Sequence, residues 1–299
     1  MSGLLTSSLL TNTSAMTALQ SLNQTSTSLN QTENEISTGL AIANASDNPS
    51  YWSIATQMTS NVGALGAVSS ALGESQSMVG TMSAALNSTI SVMDAIKNDL
   101  VTAAQPGANL SAIQTDITAQ QNALLSIGQS STFNGQNFLE TTGGNVDLVA
   151  SYNSTNGVSF LTVDTTNTQL FGTQGAASTV GILGQKGAAY TSASVLTLSV
   201  TAATAGDLAN MLTDVETAIG SITTAASTLG GLTTNLSTQA NYVSNLSDSL
   251  TTGVGSLVDA NMNEAATKLA ALQVQQQLGV QALSISNSNT QLILKLFGL

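Results

Sequence analysis

Apolar residues recur with the spacing of a packed helix near both ends of this 299-residue chain. Near the amino terminus, Ala15, Leu22, Leu29 and Ile36 follow one another at intervals of seven. Near the carboxyl terminus, steps of four and three alternate through Val258, Met262, Ala265, Leu269, Leu272, Gln276, Gly279 and Leu283. This periodicity is typical of helices that pack along a seam against another helix. We therefore predict a mainly α-helical chain whose long terminal helices need a partner helix.

Charge is absent from the segments that carry these repeats, since residues 1–32 and 269–294 contain no Asp, Glu, Lys or Arg. A polar but uncharged surface suits packing against several neighbours, because an unpaired charge buried in a contact is costly. We expect the faces opposite the seams to be used in an assembly, and the ends to stay unfolded until neighbours cover them. A low-charge helical bundle within one chain is the alternative.

The composition argues against an enzyme active site and against a metal site. The chain has no Cys and no His, which removes thiol nucleophiles, imidazole bases and most zinc or copper sites. The closest carboxylate pairs are two or five residues apart on predicted helices, so their members point in different directions; they are Glu33 and Glu35, Asp94 and Asp99, and Asp214 and Glu216. The glycine-rich stretch "GTQGAASTVGILG" lacks a phosphate-binding pattern and is predicted to be a flexible surface loop. We predict no enzymatic activity, no cofactor and no metal site.

The charge balance limits the partners. Four Lys and no Arg face sixteen carboxylates, which gives a net charge of −12. Such a surface repels nucleic acids and anionic membranes. The amino terminus lacks the basic segment of a signal peptide, and no run of apolar residues is long enough to span a membrane. We expect no nucleic-acid binding and no membrane insertion, and any export would use another route.

The middle of the chain predicts further helices and a small β region. Asn48, or Asp47, can cap a helix that begins at Pro49 and runs to about residue 102. A shorter helix is predicted at 111–129. The alternating stretches "VDLVASYN" and "VSFLTVD" around "STNG" predict a β-hairpin, and "VLTLSV" is a further strand candidate.

Helix is predicted to resume near Asp207, to break at Gly230 and Gly231, and to end near Thr252, where "TTGVGS" separates it from the last helix. The predicted layout is an amino-terminal core helix at 1–40 and an outer helical layer with the hairpin at 41–167. A small variable surface insert at 168–205, an outer helix at 206–252 and a carboxyl-terminal core helix at 253–299 follow. Folded back on itself, this order predicts an elongated rod of antiparallel coiled-coil helices.

Several stretches resemble bacterial flagellins, in particular the short flagellins of alphaproteobacteria. They are "EISTGLAIANASDNPSYWSIATQM" at 35–58, "TFNGQNFL" at 132–139, "LSDSLTTGVGSLVDANMNEAATKLAALQVQQQLGVQALSISNSN" at 246–289, and "LKLF" near the end. The likeness covers roughly residues 1–165 and 205–299. It implies that the first and last helices pair as an inner coiled coil in a filament core, with other helices, the hairpin and a solvent-facing insert outside it.

The resemblance also implies a function. The chain would be the structural subunit that polymerises with itself into the extracellular flagellar filament, the propeller for swimming. It would be exported unfolded, without a cleaved signal peptide, through the flagellar type III export apparatus. The implied partners are further copies of the chain, a flagellin chaperone, the filament cap and the hook-junction proteins. A hook–filament junction protein and a surface adhesin that uses residues 168–205 are the alternatives.

Two groups of site residues follow from the resemblance. The polymer-core interface would comprise Leu22, Leu29, Ile36, Val258, Met262, Leu269, Leu272 and Leu283. The joint between core and outer layer would comprise Asn48, Pro49, Tyr51 and Trp52, whose two aromatic rings would supply rigid packing. Glu35 and Asn98 stand where family members commonly have Arg that contributes to innate-immune recognition, which argues against that activity here.

Overall fold

The computed structural model describes residues 12–296, apart from 138, 141–143, 167, 171, 173–180 and 192, and omits the side chains of 289–296. Five long helices dominate the described residues: α1 (Thr13–Thr38), α2 (Pro49–Ala103), α3 (Leu110–Ser130), α4 (Ala205–Val258) and α5 (Met262–Leu296). Two strands, β1 (Asn145–Asn153) and β2 (Gly157–Asp164), and a short 3₁₀ turn at Val195–Thr197 complete the regular structure. The prediction of a mainly α-helical chain with a small hairpin is confirmed.

The chain divides into two compact units. The terminal unit consists of Met1–Ser60 and Ser249–Leu299, and the central unit consists of Asn61–Asp248. Helices α2 and α4 supply residues to both units.

In the terminal unit, α1 packs on α5. At one end of the pair, the Asn12 side-chain amide donates to the Ser286 carbonyl oxygen at 3.1 Å. Toward the other end, the Lys268 ammonium lies 4.0 Å from the Glu35 carboxylate. Contacts between the start of one helix and the end of the other make the pair antiparallel, as the sequence predicted.

In the central unit, α2 and α4 each bury a stripe with alternating steps of three and four, the pattern of a helix seam. On α2 the stripe includes Leu65, Val68, Leu72, Val79, Met82, Leu86, Met93, Ile96 and Leu100. On α4 it includes Leu208, Met211, Val215, Ala218, Ile222, Ala225, Leu229, Leu232 and Leu236. An ion pair joins the two helices, with the Lys97 ammonium 2.9 Å from the Glu216 carboxylate. The hydrogen bond and charge of Glu216 raise the pKa of Lys97 above its ordinary value.

The hairpin is confirmed, and it covers part of this core. Strands β1 and β2 are antiparallel with Leu148 opposite Leu161, and Gly157 takes the positive φ of 76° that closes the turn. A small apolar space is lined by Leu148 and Val163 from the hairpin, by Met78 from α2 and by Leu229 from α4. One face of the sheet therefore packs on the two helices.

The prediction that "VLTLSV" is a strand is wrong. The segment begins with the 3₁₀ turn, and α3 side chains take over its backbone hydrogen bonds. The Gln121 amide donates to the carbonyl oxygens of Val195 and Leu198, at 2.9 and 3.0 Å. The Gln114 side-chain oxygen accepts from the Val200 amide at 2.6 Å. Polar helix side chains thus replace a neighbouring strand.

The expectation that 168–205 is entirely a surface segment is wrong for several of its described residues. Leu170, Leu183 and Val200 are fully buried, which makes them part of the central core. The Asp214 carboxylate on α4 accepts the backbone amides of Ala189 and Tyr190, at 3.0 and 2.6 Å. Most of the glycine-rich stretch "GTQGAASTVGILG" lies outside the described residues.

The predicted helix breaks at Gly230, Gly231 and "TTGVGS" are also wrong, because α4 continues without interruption to Val258. The helix boundary lies instead at 259–261, so residue 252 is not a helix end. Asn261 sets this boundary, since its side-chain oxygen accepts the amides of Asn263 and Glu264 at 3.2 and 3.4 Å. An asparagine cap satisfies backbone amides that a new helix leaves free.

Candidate self-assembly surface

Six of the eight predicted core-interface residues lie along the seam between α1 and α5. Leu29 is buried, and the other five are half-buried: Leu22, Ile36, Leu269, Leu272 and Leu283. The helices approach closely at Gly279, where a Cβ atom would lie 3.1 Å from Cδ1 of Leu22. The seam therefore pairs the two terminal helices of one chain, and a role in contacts between chains stays a prediction.

The other two predicted residues lie near the break between α4 and α5. Val258 is buried, and its carbonyl oxygen accepts the amides of Ala41 and Ile42 at 2.7 and 3.3 Å. Met262 is the first residue of α5 and is 45% exposed. Its side chain therefore lies largely outside the seam within one chain, and its predicted role in the polymer-core interface stays a prediction.

Helix α5 carries a second apolar face. Val274, Leu278 and Ile285 are exposed by 55, 57 and 63%. At about 100° per residue, these positions point roughly 180° to 220° away from the centre of the seam. On α1, the apolar side chains of Met16 and Leu19 are exposed as well. We call Val274, Leu278 and Ile285 the outer stripe of α5.

The connections between the helices of the terminal unit lie side by side. Helix α1 ends at Gly39, whose positive φ of 74° allows its amide to donate to the Glu35 carbonyl oxygen. The Ala260 amide donates to the Gly39 carbonyl oxygen at 2.8 Å, and Leu40 forms a bridge with Asp259. The break after α1 and the break before α5 are thus held together by backbone hydrogen bonds.

The predicted start of α2 is confirmed. Pro49 is its first residue, and the Asn48 side-chain oxygen accepts the amides of Ser50 and Tyr51, both at 3.2 Å. Tyr51 and Trp52 are 48% and 37% exposed. The buried residues of α2 therefore begin after Tyr51 and Trp52, with Ala55. Much of both rings remains open to contact with another molecule.

The described residues contain no cluster of His, Cys, Asp or Glu suited to a metal ion. Asp214 and Glu216, one of the close carboxylate pairs, engage different partners: backbone amides for Asp214 and Lys97 for Glu216. Within the same part of the chain, every helix is too short or too polar to cross a bilayer.

These features define a helical structural protein whose terminal helices pair and still leave one apolar face uncovered. Two family models match the chain: the bacterial flagellin N-terminal helical region over residues 9–143 and the bacterial flagellin C-terminal helical region over residues 212–297. The chain belongs to the bacterial flagellin family. It is a structural subunit of the flagellar filament, in a family of structural proteins that polymerise with themselves rather than act as enzymes.

Relatives from alphaproteobacteria support this along nearly the whole length. The chain is 43% identical to a flagellin of Brucella melitensis over 97% of the chain and 99% of the relative. It is 37% identical to flagellin C and 34% identical to flagellin A of Rhizobium meliloti strain 1021, with the same coverage. The hook-junction and adhesin alternatives receive no support from these matches.

Proposed function

We propose that subunits polymerise by packing the α1–α5 pair of one copy against its neighbours through the outer stripe of α5. The observation that carries this proposal is the exposure of Val274, Leu278 and Ile285 on the face opposite a seam that is already paired. A filament core built from these pairs would bury both faces of α5.

The energetics favour such a contact. Burying a Val, Leu or Ile side chain contributes about 1.5–3 kcal/mol, and a helical polymer repeats the contact at every subunit. The residues around the outer stripe are Gln, Ser, Asn and Ala, and no charge occurs from 269 to 294. The contact therefore buries apolar surface without trapping an unpaired charge.

We further propose that Asn48, Pro49, Tyr51 and Trp52 act as a joint at which the filament fixes the direction of α2. The cap at Asn48 sets the start of the helix, and the partly exposed rings would complete their packing against another copy. Aromatic side chains are suited to this because they bury a large area with few rotatable bonds.

Assembly requires other components as well. We propose that the chain leaves the cell unfolded through the flagellar export apparatus, is held by a flagellin chaperone before export, and is added beneath the filament cap onto hook-junction proteins. Family membership supports this route. The uncharged terminal segments support it too, because an apolar stripe that lacks its partner surface favours an unfolded state.

The test compares Leu278→Asp with Gln275→Asp, which adds the same charge less than one turn away on the same helix, at an exposed position about 60° around the helix from Leu278. We expect Leu278→Asp to raise the critical concentration for polymerisation by about tenfold or more, because a buried unpaired charge costs several kcal/mol. We expect Gln275→Asp to change it much less. Sedimentation and negative-stain electron microscopy measure the polymer, and circular dichroism checks that both monomers retain their helices. Equal effects of the two variants would attribute the loss to charge alone and contradict the proposed contact.

A further inference from the structure

The methionines of the two units differ in how far they are exposed to solvent in the described part of the chain. In the central unit every described methionine is at most 9% exposed: Met78, Met82, Met93 and Met211. In the terminal unit, Met16 is 62% exposed and Met262 is 45% exposed. Met58 is half-buried, with its methyl group so near Gly253 that a Cβ atom there would lie 2.8 Å from it. The exposed methionines among the described residues thus belong to the unit with the uncovered apolar face.

The composition makes Met16 and Met262 the main candidates for oxidation among the described residues. The chain contains no Cys and no His, and Trp52 is its only tryptophan. A peroxide that meets the folded subunit therefore finds no thiol to oxidise first. Among thioethers, accessibility to the oxidant decides which ones become sulfoxides. Met16 and Met262 are the described methionines that satisfy this condition best.

We propose that Met16 and Met262 are oxidation sites for peroxides, and that their conversion to methionine sulfoxide stops the subunit from polymerising. A sulfur lone pair attacks one peroxide oxygen, the O–O bond breaks, and sulfur keeps that oxygen as S=O. The departing hydroxide takes up the remaining proton and leaves as water. The thioether is oxidised by two electrons and the peroxide is reduced by two. The effect on assembly rests on the proposed function and extends it: Met16 and Met262 lie outside the outer stripe of α5, and the effect requires the contact between copies to cover these exposed side chains of the terminal unit as well.

The position of each sulfur explains why the change would matter. Met16 and Leu19 are exposed apolar side chains three residues apart on α1, and Met262 is the first residue of α5, beside its Asn261 cap. A sulfoxide turns a flexible apolar side chain into a polar, chiral one. Its oxygen would be buried in a contact where the side chain previously matched apolar surface, which disfavours the contact. We expect the critical concentration to rise about tenfold or more.

The first experiment maps the sites on the monomer. The full chain is treated with hydrogen peroxide below its critical concentration, and peptide mass spectrometry follows each methionine over time. We expect Met16 and Met262 to be oxidised several-fold faster than Met78, Met93 and Met211. Oxidation of the buried methionines at the same rate as Met16 would overturn the assignment of the sites, whatever happens to assembly.

The second experiment tests the consequence for assembly. Peroxide-treated chain is compared with untreated chain, with treated chain repaired by methionine sulfoxide reductases A and B, and with a treated Met16→Leu/Met262→Leu variant. Leucine has similar volume and cannot be oxidised. We expect the treated chain to lose polymerisation, and both the repaired chain and the double variant to keep it. A treated chain that polymerises like the untreated one, or that stays inactive after complete repair, would overturn the inference.

Two controls keep the outcomes separate. If the double variant fails to polymerise before treatment, repair of the unaltered chain decides, since that comparison needs no substitution. If the untreated, unaltered chain fails to polymerise, the proposed polymer contact itself is contradicted. Loss of helical circular dichroism on treatment would assign the effect to unfolding and would likewise overturn the inference.

Discussion

Asparagine side chains begin four of the five long helices of the described chain. The side-chain oxygens of Asn12, Asn48, Asn109 and Asn261 each accept one or two backbone amides from the first turn of the helix that follows. Aspartate caps equally well and interacts favourably with the helix dipole. In a chain of net charge −12, neutral caps fix the helix starts without adding to the repulsion between copies.

Unlike the capping asparagines, the glycines of α4 do not mark a helix end. Several of them lie inside the helix, which continues past them. At Gly230 a Cβ atom would meet nothing within 4 Å, whereas at Gly253 it would lie 2.8 Å from the methyl group of Met58. Both glycines are helical, so neither needs a positive φ. We expect Gly230→Ala to raise the free energy of unfolding by about 0.5–1 kcal/mol, since alanine loses less backbone entropy in a helix.

Gly253→Ala is the matched variant, and it should stabilise less because the new methyl group must displace Met58. Thermal and urea unfolding, followed by circular dichroism at 222 nm, measure both changes. A Gly230→Ala variant less stable than the parent chain, or two equal gains, would contradict this view of the two sites.

At the scale of elements, α3 holds an irregular segment in place with two glutamines seven residues apart. Gln121 supplies two donor hydrogens to the 194–200 segment and Gln114 supplies an acceptor. The two carbonyl oxygens that accept hydrogen bonds from Gln121 belong to the buried residues Val195 and Leu198. Buried carbonyl groups without donors are costly, so this arrangement lets an extended segment pack on a helix without strand pairing.

We expect Gln121→Leu to lower the free energy of unfolding of the central unit by about 2 kcal/mol, because two buried carbonyl groups lose their donor. Gln129→Leu, at an exposed position of the same helix, should change it by less than about 0.5 kcal/mol. Hydrogen exchange of the 194–200 amides and chemical unfolding measure the effect. Unchanged protection in Gln121→Leu would show that the segment does not depend on this side chain.

At the scale of the whole molecule, the charge balance sets the conditions for assembly. Each copy carries a net charge of −12, and the ion pairs among the described residues include Lys97 with Glu216 and Lys268 with Glu35. Exposed like charges on neighbouring copies repel over about 8–10 Å at physiological salt, and added salt shortens that range. Salt screens this repulsion but does not weaken the apolar attraction proposed at the outer stripe of α5.

We therefore expect the critical concentration for polymerisation to fall as sodium chloride is raised from about 10 to about 500 mM, a range over which the screening length shrinks severalfold. Sedimentation at fixed temperature and pH measures the unpolymerised fraction at each salt concentration. Glu33→Gln removes one exposed charge from α1 and should polymerise at a lower concentration in dilute salt, with a smaller difference in concentrated salt. A critical concentration that rises with salt would point to attractive ion pairs between copies.

Much of the fold followed from local patterns in the sequence. The uncharged seams, the Asn48–Pro49 start, helix α3 and the hairpin were all predicted, because periodicity, caps and turn residues act over a few neighbours. The break at 259–261 had the same kind of signal in Asn261 and Glu264, but the glycines of "TTGVGS" drew the predicted boundary upstream. The burial of Leu170, Leu183 and Val200 had no local signal, since these residues meet their partners only across long stretches of chain.

The sequence by itself determined that this chain forms long helices with uncharged, apolar-striped ends, because helix periodicity and side-chain charge are local properties. Only the tertiary structure decided which stripe is already covered. Pairing α1 with α5 covers Leu22, Leu29 and Leu272 and leaves the outer stripe uncovered. That choice depends on two helices more than 200 residues apart in sequence coming together, and spacing along one helix does not specify which partner covers which face.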